Sequence, residues 1–466
     1  MKTNTVDMTQ GNIYKHIVKF AIPIIISGIL QTLYNAADMA VVGQFAENGE
    51  KSLAAVGSTG SAISLFINLF VGLSSAANVL VARKFGSGNK SGVSKAVHTA
   101  VMVAIVIGVC LSVAGFFLAR PLLLWMGSPE DVIDKSTLYM RVYFMGIPAM
   151  ILYNFGSAIL RAVGDAKRPT YYLMGAGIIN VLLNLLFVIV FKMDVAGVAV
   201  ATMIAQAIAA IFVFRSLIKT DDCYKLSWRK LRATATELRE MVVMGIPAGI
   251  QGCAFSLSNL IIQSSVNDCG SIVMAGNAAA ASIDGMVYVT VNAFFHAAIT
   301  FMGQNYGAHN FKRLKKGYWV TVGVALAFGS VVSAFTCFFA SGLLKFYTDS
   351  PGAIEAGLVR IKYICSFYML CGIIEVGAGA LRGIGVATRS MIICILGACG
   401  FRLLMVEIGA PYRTVNDLIL LYISYPISWV ITGGTLAIFF FSIVKSREKK
   451  WQEYLAGKQN SLQTEL

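Results

Sequence analysis

Apolar residues run in twelve long blocks separated by short polar stretches, roughly at 17–42, 52–82, 96–118, 136–160, 170–191, 195–217, 240–265, 275–303, 317–341, 356–381, 390–409 and 417–444. Each block meets the ~20 residues that an α-helix needs to cross a bilayer. The pattern therefore predicts an all-α integral membrane protein with twelve transmembrane helices. Spans five and six are joined by a very short turn near Lys192 to Val195, and Arg402 and Glu407 interrupt span eleven. The first block is longer than the apolar core of a cleaved signal and holds Pro23, Asn35 and Asp38, so it is expected to stay as a membrane helix.

Composition agrees with lipid as the solvent. Hydrophobic residues make up 57% of the chain and charged residues 13%, about half the usual charged share of a soluble domain. The 44 glycines fit close helix packing and broken helices. The net charge of +15 does not form one face for nucleic acid. Of 38 Lys and Arg, 28 fall on one side when loops are counted alternately, which puts both termini in the cytoplasm. The nine Cys are scattered mostly within apolar blocks, and the four His have no metal-ligand spacing. No nucleotide, metal or Ser–His–acid motif is present, and the central loop is too short for a catalytic domain. An enzyme is therefore not expected, nor is a cofactor.

The second half repeats the first. Gly86 and Gly307, Asn89 and Asn310, Arg161 and Arg382, and Gly164 and Gly385 are each 221 residues apart, and Pro23 and Pro247 are 224 apart. A constant offset over separate sites predicts two six-helix bundles, residues 1–217 and 240–444, joined by a cytoplasmic linker at 218–239 and followed by a cytoplasmic tail at 445–466. Six is even, so the halves share one orientation and a pseudo-twofold axis along the membrane normal. That layout suits transport by rocking one bundle against the other. A scaffold or a channel is the alternative, although no filter loop is visible.

"IPIIISGILQTLYNAADMAVVGQF", the pair "VARKFGSGN" and "MGQNYGAHN", the pair "LRAVGDAKRP" and "LRGIGVATR", and "GIINVLLNLLFV" followed by "GVAVATMIAQ" run through nearly the whole chain. In these motifs the chain resembles the multidrug and toxic compound extrusion family, and within it the bacterial subgroup related to DNA-damage-inducible F-type and MepA-like exporters. The resemblance implies a bacterial plasma-membrane antiporter. It would export cationic amphipathic compounds in exchange for H⁺ or Na⁺ and work as a monomer among membrane lipids. Flippases for lipid-linked intermediates share this architecture and are the runner-up. They would need a cavity rich in Lys and Arg, and the spans here offer few, Arg402 being the main exception.

Asp38 is the leading candidate residue, because a carboxylate inside an apolar span needs a cavity, a partner or an ion. Its alternative reading is a helix-end residue at the interface. The resemblance implies that an acid here helps bind the coupling cation. Asn180 and Asn184 lie one turn apart on span five, with Thr202 on the next span, and together they offer hard oxygen ligands. The family usually has Asp where this chain has Asn184, which weakens a sodium site in this half. In the second half, Glu375 and Asp284 are candidate coupling or substrate carboxylates, with Asp284 alternatively closing a helix end. Gln251, Asn259 and Gln263 form a polar stripe on span seven. Tyr34, Met286, Tyr288 and Phe295 are candidate cavity-lining residues. Pro23, Pro148 and Pro247 are candidate bends, although the first and last could equally just start their helices.

Overall fold

The computed structural model describes residues 5–45, 49–126, 132–409 and 414–464. Among them no strand occurs, and twelve helices are long and apolar enough to cross a membrane. In chain order these are α1 (Ile13–Phe45), α2 (Gly49–Gly86), α3 (Lys90–Trp125), α4 (Ile133–Ala162), α5 (Lys167–Val190), α6 (Asp194–Lys219), α7 (Ala235–Asn267) and α8 (Ser271–Gly307). They continue with α9 (Phe311–Phe338), α10 (Pro351–Gly383), α11 (Ala387–Gly409) and α12 (Leu418–Thr464). The protein is thus an all-α, twelve-span membrane protein, as the apolar blocks predict.

The helices overrun the apolar blocks at several ends. α1 and α7 begin well before their prolines, so Pro23 and Pro247 lie inside helices and do not start them. The reason is that amphipathic turns carrying Lys15, Lys19, Glu237 and Arg239 extend each span beyond its apolar run. Pro148 lies inside α4, as expected. α12 continues through most of the stretch expected as a tail. Lys315 holds Glu448 at 2.6 Å, and Trp451 stacks on His309 with ring centroids 3.7 Å apart. The linker is also folded. Tyr224 and Leu226 are buried, and the Ser227 N–H donates to Nε2 of the buried His98 at 3.1 Å.

The internal repeat is visible in local geometry. Asn89 and Asn310 both cap a helix, their side chains accepting from the backbone N–H of Gly92 and Arg313. Such a cap satisfies one of the orphan donors of the first turn. Gly164 and Gly385 both take positive φ, 86° and 82°, at the turns after α4 and α10. An L side chain rarely adopts that conformation.

By backbone packing the chain divides into two compact units, one comprising residues 1–6, 19–84 and 89–263 and the other residues 7–18, 85–88 and 264–466. Within the first, α7 lies against α2 through glycines. A Cβ on Gly72 would meet the Gly249 nitrogen at 2.2 Å, so only glycine allows the two backbones this close. Asn68 donates to Ser256 at 2.8 Å beside this contact.

Candidate functional site

In the first unit, α1, α5 and α6 bring Asp38, Asn180, Asn184 and Thr202 together. The Asn184 amide donates to the Asp38 carboxylate. It also lies 3.4 Å from the Asn180 carbonyl oxygen, and the Asn180 amide in turn donates to the Thr202 hydroxyl at 3.3 Å. Asn180 and Asn184 are buried, whereas Asp38 is half-buried. No cation pairs with Asp38 among the described residues. The buried Asn184 Oδ1 has no partner there either, leaving an unused hard acceptor beside the carboxylate.

Local structure holds this chain of groups in place. The four-residue spacing puts both amides on one face of α5. Directly after Asn184 the helix widens into a π turn, Leu186–Val190, a feature that recurs at functional sites. Val41, Val188 and Val198 form an apolar cluster. Each lies about one helical turn from Asp38, Asn184 or Thr202, and the antiparallel course of α5 and α6 puts all three toward the same end. They close that end of the site with hydrocarbon. Tyr34 braces α1 against α5, its hydroxyl donating to the Met174 carbonyl at 3.2 Å and its ring lying over Gly177.

In the second unit, the candidate acids belong to two networks. Glu375 on α10 accepts from Asn292 at 3.0 Å and from the Tyr288 hydroxyl at 3.5 Å, both on α8. The Asn292 amide also donates to the Tyr288 hydroxyl at 3.2 Å. Asp284, one turn before Tyr288, sits in a buried ion pair with Arg360, 2.8 Å away. Cys365 donates to the other Asp284 oxygen at 2.6 Å. Arg360 and Tyr422 both donate to Asn277, at 2.8 and 3.1 Å. Phe295 lies beneath the Arg382 guanidinium, 5.1 Å from ring centroid to carbon. Met286, two residues from Asp284, projects about 200° round α8 from it.

The polar stripe on α7 is not uniform. Gln251 is buried, Gln263 is half-buried and Asn259 is exposed. Arg360, Asn277 and Asn292 were not among the sequence candidates. A signal for two of them exists: Asn277, Asp284, Tyr288 and Asn292 recur at 7, 4 and 4 residues, one helical face. Arg402 is buried on α11, donating to Ser428 at 3.1 Å and lying 4.1 Å above the Tyr425 ring.

Among the described residues no group of three or more His, Cys, Asp or Glu is arranged to hold a metal ion. The arrangement can instead bind and release a cation or proton at carboxylates with neutral partners.

Known proteins share both sequence and fold with this chain. It is 28% identical over 392 residues to the "Probable multidrug resistance protein YpnP" of Bacillus subtilis strain 168, covering 84% of this chain and 87% of that protein. It is 25% identical over 431 residues to the "Probable multidrug resistance protein YoeA" of the same organism, covering 91% and 92%. The solved "Outward-facing conformation of a multidrug resistance MATE family transporter of the MOP superfamily" superposes with a TM-score of 0.89 at 23% identity, over 97% of this chain and 100% of that one. That likeness shows the shared fold. The family model MatE matches residues 23–186 and again residues 247–406, one stretch in each sequence repeat. Those stretches cover well over half of the sequence, and the chain therefore belongs to the MatE family of membrane transporters, which are not enzymes.

Proposed function

We propose that this chain exports small cationic amphipathic molecules across a bacterial plasma membrane, in exchange for H⁺ or Na⁺, by alternating access. The observation that carries this reading is Asp38, a carboxylate on a membrane span whose hydrogen-bond partner is an amide and which has no fixed counter-cation among the described residues. Such a group needs a mobile positive charge or a proton. If the drug cation and the coupling ion compete for it, binding one releases the other, and that competition links the two fluxes. Na⁺ as cargo fits the oxygens present: the Asp38 carboxylate, the Asn180 carbonyl, the Thr202 hydroxyl and the unpaired Asn184 Oδ1, once that amide turns. H⁺ needs only Asp38. Glu375, held by Asn292 and Tyr288 with no ion pair among the described residues, is the corresponding group of the second half. Within the family, the motifs after α2 and α8 support the subgroup related to DNA-damage-inducible F-type and MepA-like exporters. The excess of Lys and Arg in alternate loops supports cytoplasmic termini, and the monomer is taken as the working unit.

A second reading rests on Arg402. A buried guanidinium with a hydroxyl and an aromatic ring as partners suits an anionic substrate, which favours a flippase for a lipid-linked intermediate.

Uptake of a cationic dye into proteoliposomes under an imposed H⁺ gradient, a Na⁺ gradient or neither separates these. Antiport predicts dye movement driven by one gradient and lost in Asp38→Asn or Glu375→Gln. Dye movement indifferent to both gradients in folded protein removes the antiport reading and directs attention to lipid-linked anions.

A further inference from the structure

Where the N-terminal segment meets the start of α9, a cavity of about 490 Å³ opens in the second unit. Its lining includes Lys312, Arg313, Lys316, Asn12, Asn310 and Tyr14, and none of its lining residues is acidic. Lys312 and Lys316 are exposed and have no carboxylate partner among the described residues, whereas their neighbour Lys315 is neutralised by Glu448. The nearest acid along the N-terminal segment, Asp7, is engaged by the Thr9 N–H and hydroxyl.

The cavity is built, not left over. Arg313 donates to the carbonyls of Met8, Gly11 and Gln10 at 3.0, 2.8 and 2.7 Å, and Asn305 also donates to the Met8 carbonyl at 3.2 Å. A guanidinium has five N–H donors, so three fix the N-terminal segment and two remain. The first turn of α9 adds its positive dipole end. Tyr14 and Trp319 are exposed beside the basic groups, the placement of aromatic residues at the headgroup level of a bilayer.

The repeat shows that the fold does not require this cluster. At the matching start of α3, 221 residues earlier, Gly92 and Ser91 stand where Arg313 and Lys312 stand, and only Lys95 matches Lys316. The Asn cap is present in both copies, whereas the clamp and one of the two free lysines occur in the second alone.

We propose that this cavity binds a phosphate group, carried by an anionic phospholipid headgroup or free in solution. Basic pockets at the ends of membrane helices take such groups, each Lys or Arg contributing on the order of 1 kcal/mol. The site is separate from the transport carboxylates, and its occupancy would hold the N-terminal segment against α9.

The test uses purified full-length protein. Retention of phosphatidylglycerol is measured by native mass spectrometry against phosphatidylcholine, and the melting-temperature shift given by inorganic phosphate is measured in parallel. Lys312→Gln with Lys316→Gln is expected to weaken phosphatidylglycerol binding about thirtyfold and leave phosphatidylcholine unchanged. Asn12→Asp, which keeps the side-chain acceptor used by the Lys15 N–H, is expected to weaken it too by adding a negative charge. Loss confined to the lipid assigns a headgroup, and loss of the phosphate shift assigns a free anion. Equal retention and equal phosphate shifts in wild type and both variants overturn the proposal.

Discussion

Asp38 and Asp284 are both aspartates on apolar membrane helices, yet their surroundings differ. Asp284 faces the Arg360 guanidinium at 2.8 Å and also accepts from Cys365. Its charge is balanced, and Arg360 is further tied to Asn277. Asp38 faces an amide that itself reaches back toward a second amide, which in turn donates to a hydroxyl. A carboxylate matched to a fixed cation acts as a strut between helices. One with neutral partners leaves its countercharge to whatever arrives. The same residue type thus holds one region together and, in the proposed reading, serves exchange in another.

The comparison breaks most visibly at the strut. Arg360→Gln would leave Asp284 buried without its cation, and removing one member of a buried pair costs about 3–5 kcal/mol. Thermal melting in detergent should fall clearly, and Asp284→Asn added to Arg360→Gln should recover most of the loss. An unchanged melting temperature in the single variant would mean that the pair does not brace α8 and α10.

A smaller effect is expected from sharpening the exchange site. Asn184→Asp adds a second carboxylate beside Asp38, restoring the acid that the resembled family usually carries there. Two acids sharing one site favour occupancy by a cation. Dye transport should become more sensitive to Na⁺, by about tenfold in half-saturating concentration, within the usual range of coupling free energies. An unchanged Na⁺ response would separate Asn184 from the ion path.

The smallest change is at the far end of the chain of groups. Thr202→Val removes the hydroxyl that accepts from Asn180, and interhelical hydrogen bonds of this kind contribute about 0.6 kcal/mol in membranes. Transport is expected to fall about threefold with little change in melting. A loss as large as that of Asp38→Asn would make Thr202 a direct ligand.

Much of the fold is legible in the pattern. Twelve apolar blocks become twelve helices, and the 221-residue offset reappears as paired Asn caps and paired positive-φ glycines. Helix ends are less legible, because a helix continues for as long as its backbone can be satisfied. Nothing in an apolar count reveals that α12 runs on to Thr464, carrying Glu448 and Trp451 to Lys315 and His309. At the site, Asn180 and Asn184 are paired by their i,i+4 spacing, whereas Asp38 and Thr202, on other helices, join them by residue type and by the family resemblance. The pairing of Asp284 with Arg360 does not. The partners lie 76 positions apart on different spans, and local periodicity carries no information about which helices become neighbours. The α8 stripe from Asn277 to Asn292 shows that a partner is needed without saying which one.

The central claim is that a cation and a coupling ion compete at Asp38. The direct measurement adds tetraphenylphosphonium to purified protein in weak buffer and follows release of H⁺, with release of radiolabelled Na⁺ followed in parallel. The account predicts that binding of the cation displaces one of the two in wild type and that the displacement is abolished in Asp38→Asn. Binding that displaces neither, or displacement that is unchanged in Asp38→Asn, would contradict it.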